Sequence, residues 1–159
     1  MIPIQIAVIT CAGRLGEERL FILDQEQQEF IIDGLPADRR MPVLSFFRNF
    51  SAPVKWESDL SLSELFQLFR FDDDPFSRWN AGQDLMRKAL LSRVNNTPDF
   101  ELEQNLIETF SHLIITLEGE DLKGLSTLLS LPGLSELELS QDAVDPIGLY
   151  EARMHLETL

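Results

Sequence analysis

The sequence predicts an α+β fold in which a partial antiparallel β-sandwich precedes an antiparallel α-helical array. Two observations carry this prediction. Apolar residues alternate with other residues from Ile2 to Thr10, which is the period of a strand with one buried face. From Asp59 onward the apolar residues instead recur every three or four positions, as they do in helices. We therefore expect two domains, residues 1–58 and 59–159.

The first domain contains several strand-like segments. Residues 19–24 and 28–33 are short runs rich in Phe, Ile and Leu, and residues 53–58 resemble a last strand after a loop around Pro42. Residues 13–16 contain two glycines and indicate a turn. A stable sandwich usually needs about seven strands, so we expect an incomplete sheet. Its N-terminal strand is expected to be an exposed edge through which copies form an artificial dimer.

The second domain carries local signals for helix starts. Ser61 and Glu64 fit a capping box, in which each side chain accepts a hydrogen bond from the other residue's backbone. Asp-Pro pairs at 74–75 and 145–146 place a capping residue before a proline at the first helical position. Residues 97–98, Thr-Pro, predict a further start. The apolar face of that helix is expected to comprise Leu102, Leu106, Phe110, Leu113 and Leu117. Two shorter helices are predicted at 122–129 and 135–139.

The composition excludes several classes of protein. The chain has 27 acidic and 13 basic residues and a net charge of −14, which repels a nucleic-acid backbone. Its one cysteine, Cys11, allows no internal disulfide. No apolar run approaches the ~20 residues needed to span a bilayer, and the N-terminus lacks the pattern of a signal peptide. We expect a cytoplasmic protein that binds neither nucleic acid nor membrane.

No catalytic or metal-binding motif is found in the sequence. The two histidines, His112 and His155, lie in different predicted helices, and no H-E-x-x-H is present. The acidic run at 72–74 precedes a helix and is better explained by the positive end of the helix dipole than by a cation. We therefore predict no catalytic residue, no metal ligand and no cofactor in this chain.

Several stretches nevertheless resemble a known family. Residues 50–55, FSAPVK, are similar to a stretch of bacterial-type aminopeptidase N that ends an immunoglobulin-like domain and leads into a helical C-terminal domain. Residues 74–83, DPFSRWNAGQ, resemble that family's D-x-F-x-R-W-[DE]-A-x-Q helix, although Asn80 departs from the acidic residue expected there. Two later stretches, at 131–137 and 145–153, match in the same order.

The resemblance implies a function for a larger protein. Members of this family are zinc exopeptidases that remove N-terminal residues from peptides, with zinc bound by H-E-x-x-H and a further glutamate. No position here matches those elements, and Tyr150 does not take the role of the family's catalytic tyrosine. The implied chain is a non-catalytic fragment that supports and covers the active-site chamber. Its expected partners are the missing catalytic domain in cis and, through the parent enzyme, peptide substrates.

The resemblance also marks a structural junction between the two predicted domains. Pro53 is expected to end backbone pairing, Val54 and Trp56 to face the core of the sheet, and Phe76 and Trp79 to anchor the first helices. The complete predicted set is Phe50, Ala52, Pro53, Val54, Lys55, Trp56, Phe76, Arg78 and Trp79.

An alternative from a different class remains open. The same sequence fits a free-standing acidic protein-interaction module without peptidase activity. A third possibility, an independent hydrolase, requires turnover of an aminoacyl substrate by this chain alone.

Overall fold

A computed structural model describes residues 1–35, 41–116, 121–138 and 145–158. A three-stranded antiparallel sheet is followed by helices, which confirms the predicted fold class. The chain divides into two compact units, residues 1–81 and 82–159, and each is described by itself. The domain boundary at residue 58 stays a prediction.

The sheet contains the strands β1 (Ile2–Thr10), β2 (Gly13–Leu23) and β3 (Val43–Ser45). Their order is β2-β1-β3, and both pairings are antiparallel. The expectation that the N-terminal strand is an edge is wrong, because β1 lies in the middle of the sheet. Burial extends to every residue from Ile6 to Thr10, since β3 pairs with this end of the strand. Dimerisation through β1 stays a prediction.

Three of the predicted strand and turn positions are wrong. Residues 28–33 form no strand, and Phe30 instead packs its ring against Phe21, with centroids 4.8 Å apart. Residues 53–58 also form no strand, whereas residues 43–45, placed in a loop by the sequence, form β3. The turn between β1 and β2 lies at residues 11–12.

A bulge interrupts the pairing of β1 with β2. Ile6 pairs with Arg19, but Val8 pairs with Leu15, so three residues of β2 lie opposite Ala7. Gly16 has a φ of 70° at this place, a conformation that side chains with a Cβ rarely adopt. The glycine at position 16 therefore permits the bulge and does not form the predicted turn.

The first helix, α1 (Leu62–Phe71), begins at the predicted capping box. The Glu64 N–H donates to the Ser61 hydroxyl at 3.4 Å, and the Ser61 N–H donates to the Glu64 carboxylate at 2.8 Å. Leu65, Leu68 and Phe69 are buried on the face that meets the sheet, whereas Leu62 is exposed.

The next helix, α2 (Pro75–Val94), begins at the predicted Asp-Pro pair. The Asp74 carboxylate accepts the Ser77 N–H at 2.8 Å, which satisfies one of the free donors of the first turn.

The remaining helices are α3 (Phe100–Thr116), α4 (Asp121–Leu128), α5 (Leu134–Glu138) and α6 (Pro146–Leu156). The start predicted at Thr97 lies two positions too early, because Asp99 caps α3 through the Leu102 N–H at 2.9 Å. The end of that helix predicted at Leu117, and Leu139 of the predicted short helix, lie outside the described residues.

The second unit has a compact apolar core. Its buried members are Leu90, Leu137, Leu149 and Ala152, with Val94 and Leu156 packed against them. The last helix starts as predicted, since Asp145 accepts the Gly148 N–H at 3.0 Å. A Cβ at Gly148 would lie 2.5 Å from that carboxylate, so only glycine fits this close approach.

The capping box predicts a pH dependence of stability. Hydrogen bonds from the Ser61 hydroxyl and backbone N–H hold the pKa of Glu64 below its ordinary value of 4.5. A lowered pKa in the folded state stabilises the chain above the ordinary value, and this contribution is lost as pH falls through the lowered pKa. We expect Glu64→Gln to lower the free energy of unfolding at neutral pH and to have no effect well below the lowered pKa. Equal effects at both pH values would contradict this assignment.

Candidate functional site: a buried arginine between the sheet and α1

The most unusual side chain of the first unit is a buried arginine. Arg48 follows β3 in a short turn and is only 1% exposed. Its Nε donates to the Glu18 carboxylate of β2 at 2.9 Å, and its Nη2 donates to Asp73 at 2.5 Å. Its Nη1 binds Asp72 and lies 3.3 Å from the Ser45 hydroxyl of β3. One guanidinium thus joins two strands to the residues that follow α1.

The acidic run at 72–74 supplies three different contacts. Asp72 is the C-terminal cap of α1, and its carboxylate accepts the Asp74 N–H at 2.9 Å. Asp73 is partly exposed and also binds Arg14 of β2 at 2.8 Å. Asp74 caps α2 and accepts the Asn49 N–H at 2.9 Å. The interpretation of this run as a helix-dipole feature was therefore incomplete, because Asp72 and Asp73 bind the guanidinium of Arg48.

Burial and charge act in opposite directions on this pair. Burial alone would lower the pKa of Arg48, but the charge of Asp72 and the hydrogen bonds with Asp73 and Glu18 outweigh it and raise that pKa. Burial raises the pKa of the Asp72 carboxyl above its ordinary value, and hydrogen bonds from Ser45 and Asp74 and the charge of Arg48 offset only part of this effect. The guanidinium of Arg48 keeps its proton at neutral pH and therefore remains a cation beside the Asp72 carboxyl.

The turn around Arg48 has an uncommon backbone. Phe47, Asn49 and Phe50 have φ values of 55°, 53° and 54°. Bulky side chains rarely adopt this left-handed conformation, which costs of order 1–3 kcal/mol per residue. The ion pairs of Arg48 and the hydrogen bond from Asn49 to Asp74 hold the turn in this form.

The predicted residues of the FSAPVK stretch occupy different environments. Ala52 is buried, Pro53 and Lys55 are exposed, and Val54 and Trp56 are half-buried. The Trp56 ring lies 5.9 and 5.4 Å from the rings of two phenylalanines of the preceding segment, Phe46 and Phe47. Because no strand forms here, these residues form an aromatic cluster after β3 and not the predicted last strand.

The predicted residues of α2 do lie close to the turn. The Phe76 ring contacts Phe50, with centroids 5.2 Å apart, and lies 6.1 Å from Trp79. Arg78 donates to the backbone oxygens of Phe69 and Arg70 at 3.0 and 2.7 Å. These carbonyls belong to the last turn of α1, so Arg78 joins the end of α1 to the start of α2. The role of the whole set as a domain junction stays a prediction.

The sequence analysis missed Arg48 and Glu18. Glu18 lies 30 positions from Arg48, and Asp72 lies 24 positions from it, so no local pattern brings them together. The signal available in the sequence was the acidic run at 72–74. A buried carboxylate at the end of an apolar helix needs a cation or a hydrogen-bond donor.

The candidate metal ligands among the described residues do not cluster into a metal site. His112 is exposed, Cys11 is exposed, and His155 has its Nε2 3.9 Å from the Glu103 carboxylate. Within the described ranges, no three His, Cys, Asp or Glu side chains are grouped so that they could hold a metal ion. These described residues do not fit a zinc site.

A shallow cleft runs along β2 beside the bulge. It has a volume of about 220 Å³, and its lining includes the apolar residues Leu15, Phe21 and Ile32 and the charged residues Glu17, Arg19 and Asp33. The Arg19 guanidinium donates to the Asp33 carbonyl at 2.9 Å. Ligand pockets usually measure roughly 300–1,000 Å³ and present several converging polar groups. This cleft does not meet that description.

Among the described helices, none combines the length and the apolar character that crossing a membrane requires.

Two protein-family models match this chain. The model for an Ig-like domain of unknown function, DUF3458, matches residues 1–59, and the model for a domain of unknown function with ARM repeats, DUF3458_C, matches residues 62–159. The chain is therefore an Ig-like segment followed by ARM-type helices. It belongs to the DUF3458_C family.

The similar proteins are aminopeptidases. The chain is 38% identical to aminopeptidase N of Caulobacter vibrioides over 96% of its own length and 17% of that protein. It is 30% identical to aminopeptidase N of Escherichia coli over 81% of its length and 15% of that protein. The crystal structure of Legionella pneumophila aminopeptidase A in complex with aspartic acid matches with a TM-score of 0.79 and 28% identity, covering 98% of this chain and 18% of that one. These findings confirm the resemblance to aminopeptidase N.

The buried arginine predicts a contrast between two substitutions. Arg48→Met removes the partner of a buried carboxylate, so we expect the free energy of unfolding to fall by roughly 3–5 kcal/mol. Arg14→Met removes a partly exposed cation that also binds Glu18 and Asp73, and should cost only about 0–1 kcal/mol. Denaturant unfolding of both variants measures the difference.

A second measurement tests whether Arg48 compensates the buried charge of Asp72. The raised pKa of Asp72 means that its ionisation opposes folding above that pKa, and protonation at lower pH relieves the cost. The loss caused by Arg48→Met should therefore shrink as pH falls. A loss that is small, or that grows on acidification, would show that Arg48 does not compensate a buried charge.

Proposed function

We propose that this chain is a non-catalytic part of a zinc-dependent aminopeptidase that removes N-terminal residues from peptides. The observation that carries the proposal is the 38% identity to aminopeptidase N over 96% of the chain. The chain spans only 17% of that relative, so the chemistry is assigned to the remainder of a longer polypeptide.

The contribution of this chain is structural. In the proposal, it supports and covers the chamber in which the catalytic residues bind zinc and the peptide. The buried Arg48 cluster favours such a role, because one side chain joins β2, β3 and the end of α1 into a rigid unit. The chemistry of Zn²⁺, when bound elsewhere in the polypeptide, is to polarise the peptide carbonyl and activate water.

The proposal includes the partners and the location. The substrates are peptides, the principal partner is the catalytic domain of the same polypeptide, and neither nucleic acid nor membrane is bound. A net charge of −14 supports the exclusion of nucleic acid. A cytoplasmic location is part of the proposal, and the single cysteine, Cys11, allows no disulfide within this chain.

The proposal predicts where activity resides. A polypeptide translated from the whole reading frame should contain one zinc ion by metal analysis and release the chromophore of an aminoacyl anilide. The 159-residue chain alone should release none above the rate without protein. Chelation of zinc should abolish the first activity.

Two outcomes would contradict the proposal. Turnover by the 159-residue chain alone would place catalysis within it. A stop codon directly upstream of Met1, with no H-E-x-x-H in the frame, would favour the acidic interaction module instead.

A further inference from the structure

Three rings form a continuous aromatic surface on the first unit. Phe50, Phe76 and Trp79 are in sequential contact, with the Phe50 and Phe76 rings edge-to-face at 82°. Phe50 is 59% exposed, and the other two are half-buried. We infer that this aromatic surface docks into an apolar pocket on the remaining part of the same polypeptide, with the Phe50 ring as the inserted anchor. The inference rests on the proposed function, because that remaining part is the proposed catalytic portion.

The conformation of Phe50 is unfavourable for the first unit alone. Its φ of 54° is strained for an aromatic residue, and more than half of its surface is exposed to water. Neither feature is offset by burial within the unit. Burial of the ring by a partner offsets both the strained backbone and the exposed apolar surface. Sites that violate local conformational preferences are typically functional.

The neighbouring residues fix the backbone that carries the Phe50 ring. Arg48 fixes the residues before it through ion pairs, and the Asn49 N–H binds Asp74 at the start of α2. On the other side, the Ser51 hydroxyl accepts the Gln5 N–H at 3.1 Å and contacts the Pro3 carbonyl at 3.3 Å. Because this backbone is already fixed, its ordering costs little conformational entropy when the ring binds, which favours Phe50 as an anchor.

The size of the relatives indicates the occupant. This chain covers 17% of the Caulobacter protein and 18% of the Legionella structure, so most of each polypeptide lies outside the matched segment. Aromatic side chains are enriched among the residues that dominate binding energy at interfaces, where they fill desolvated pockets. A partner in cis also needs no second molecule and binds at a high effective concentration.

Hydroxyl-radical footprinting of the whole polypeptide tests the inference without a substitution. The rate of Phe50 oxidation is measured in the native and the denaturant-unfolded protein by mass spectrometry. We expect a reduction of about five-fold or more, because a docked anchor is excluded from water. A reduction of less than about two-fold, as expected of a ring left more than half exposed, overturns the inference. Phe100, which is 67% exposed, serves as the control ring in the same measurement.

Two further measurements separate the alternatives. Phe50→Ala should raise the oxidation of Trp79 several-fold, whereas Phe100→Ala should leave it unchanged. If protection of Phe50 instead disappears on dilution in step with dissociation of an oligomer, the occupant is a second copy and the inference is wrong.

Failure of the inference is distinguishable from failure of the proposed function. Aminopeptidase activity and zinc content are measured on the same sample. An active zinc enzyme with a freely oxidised Phe50 removes only the docking inference. A protected Phe50 in a polypeptide without peptidase activity supports docking and removes the proposed function.

Discussion

The contacts of Arg48 with the carboxylates of Glu18, Asp72 and Asp73 determine how the first unit is assembled. A guanidinium presents five donors in one plane, and here they reach two strands and the end of a helix. A hydrophobic side chain could fill the same volume, but it would leave the buried carboxylate of Asp72 without a cation. The arrangement thus favours one specific packing of α1 on the sheet, because alternatives leave charge unpaired.

The local parts of this architecture are readable from the sequence. The capping box at Ser61 and the Asp-Pro pair at 74–75 depend on residues within four positions of each other, so their signals survive in any tertiary context. The start of α3 shows the limit of such signals, since Thr97-Pro98 and Asp99 are adjacent candidates and the structure uses Asp99.

The non-local parts are not readable from the sequence. Residues 28–33 and 43–45 are both short and rich in apolar residues, but only the second segment pairs with β1 and forms a strand. The role of Arg48 is not readable either, because its carboxylate partners come from distant segments of the chain. The resemblance singled out the FSAPVK stretch, but it gave no information on the left-handed turn that ends at its first residue, Phe50.

The separation of Arg48 from its partners also has a consequence for the order of folding. Its contacts close loops of 24 to 30 residues, whereas the helix caps close loops of only three. Closing a longer loop costs more chain entropy, so we expect the capped helix starts to form early and the guanidinium to engage late. Until that step, Asp72 remains hydrated, and α1 is free to separate from the sheet. The last ionic contacts to form therefore complete the cooperative transition of this unit.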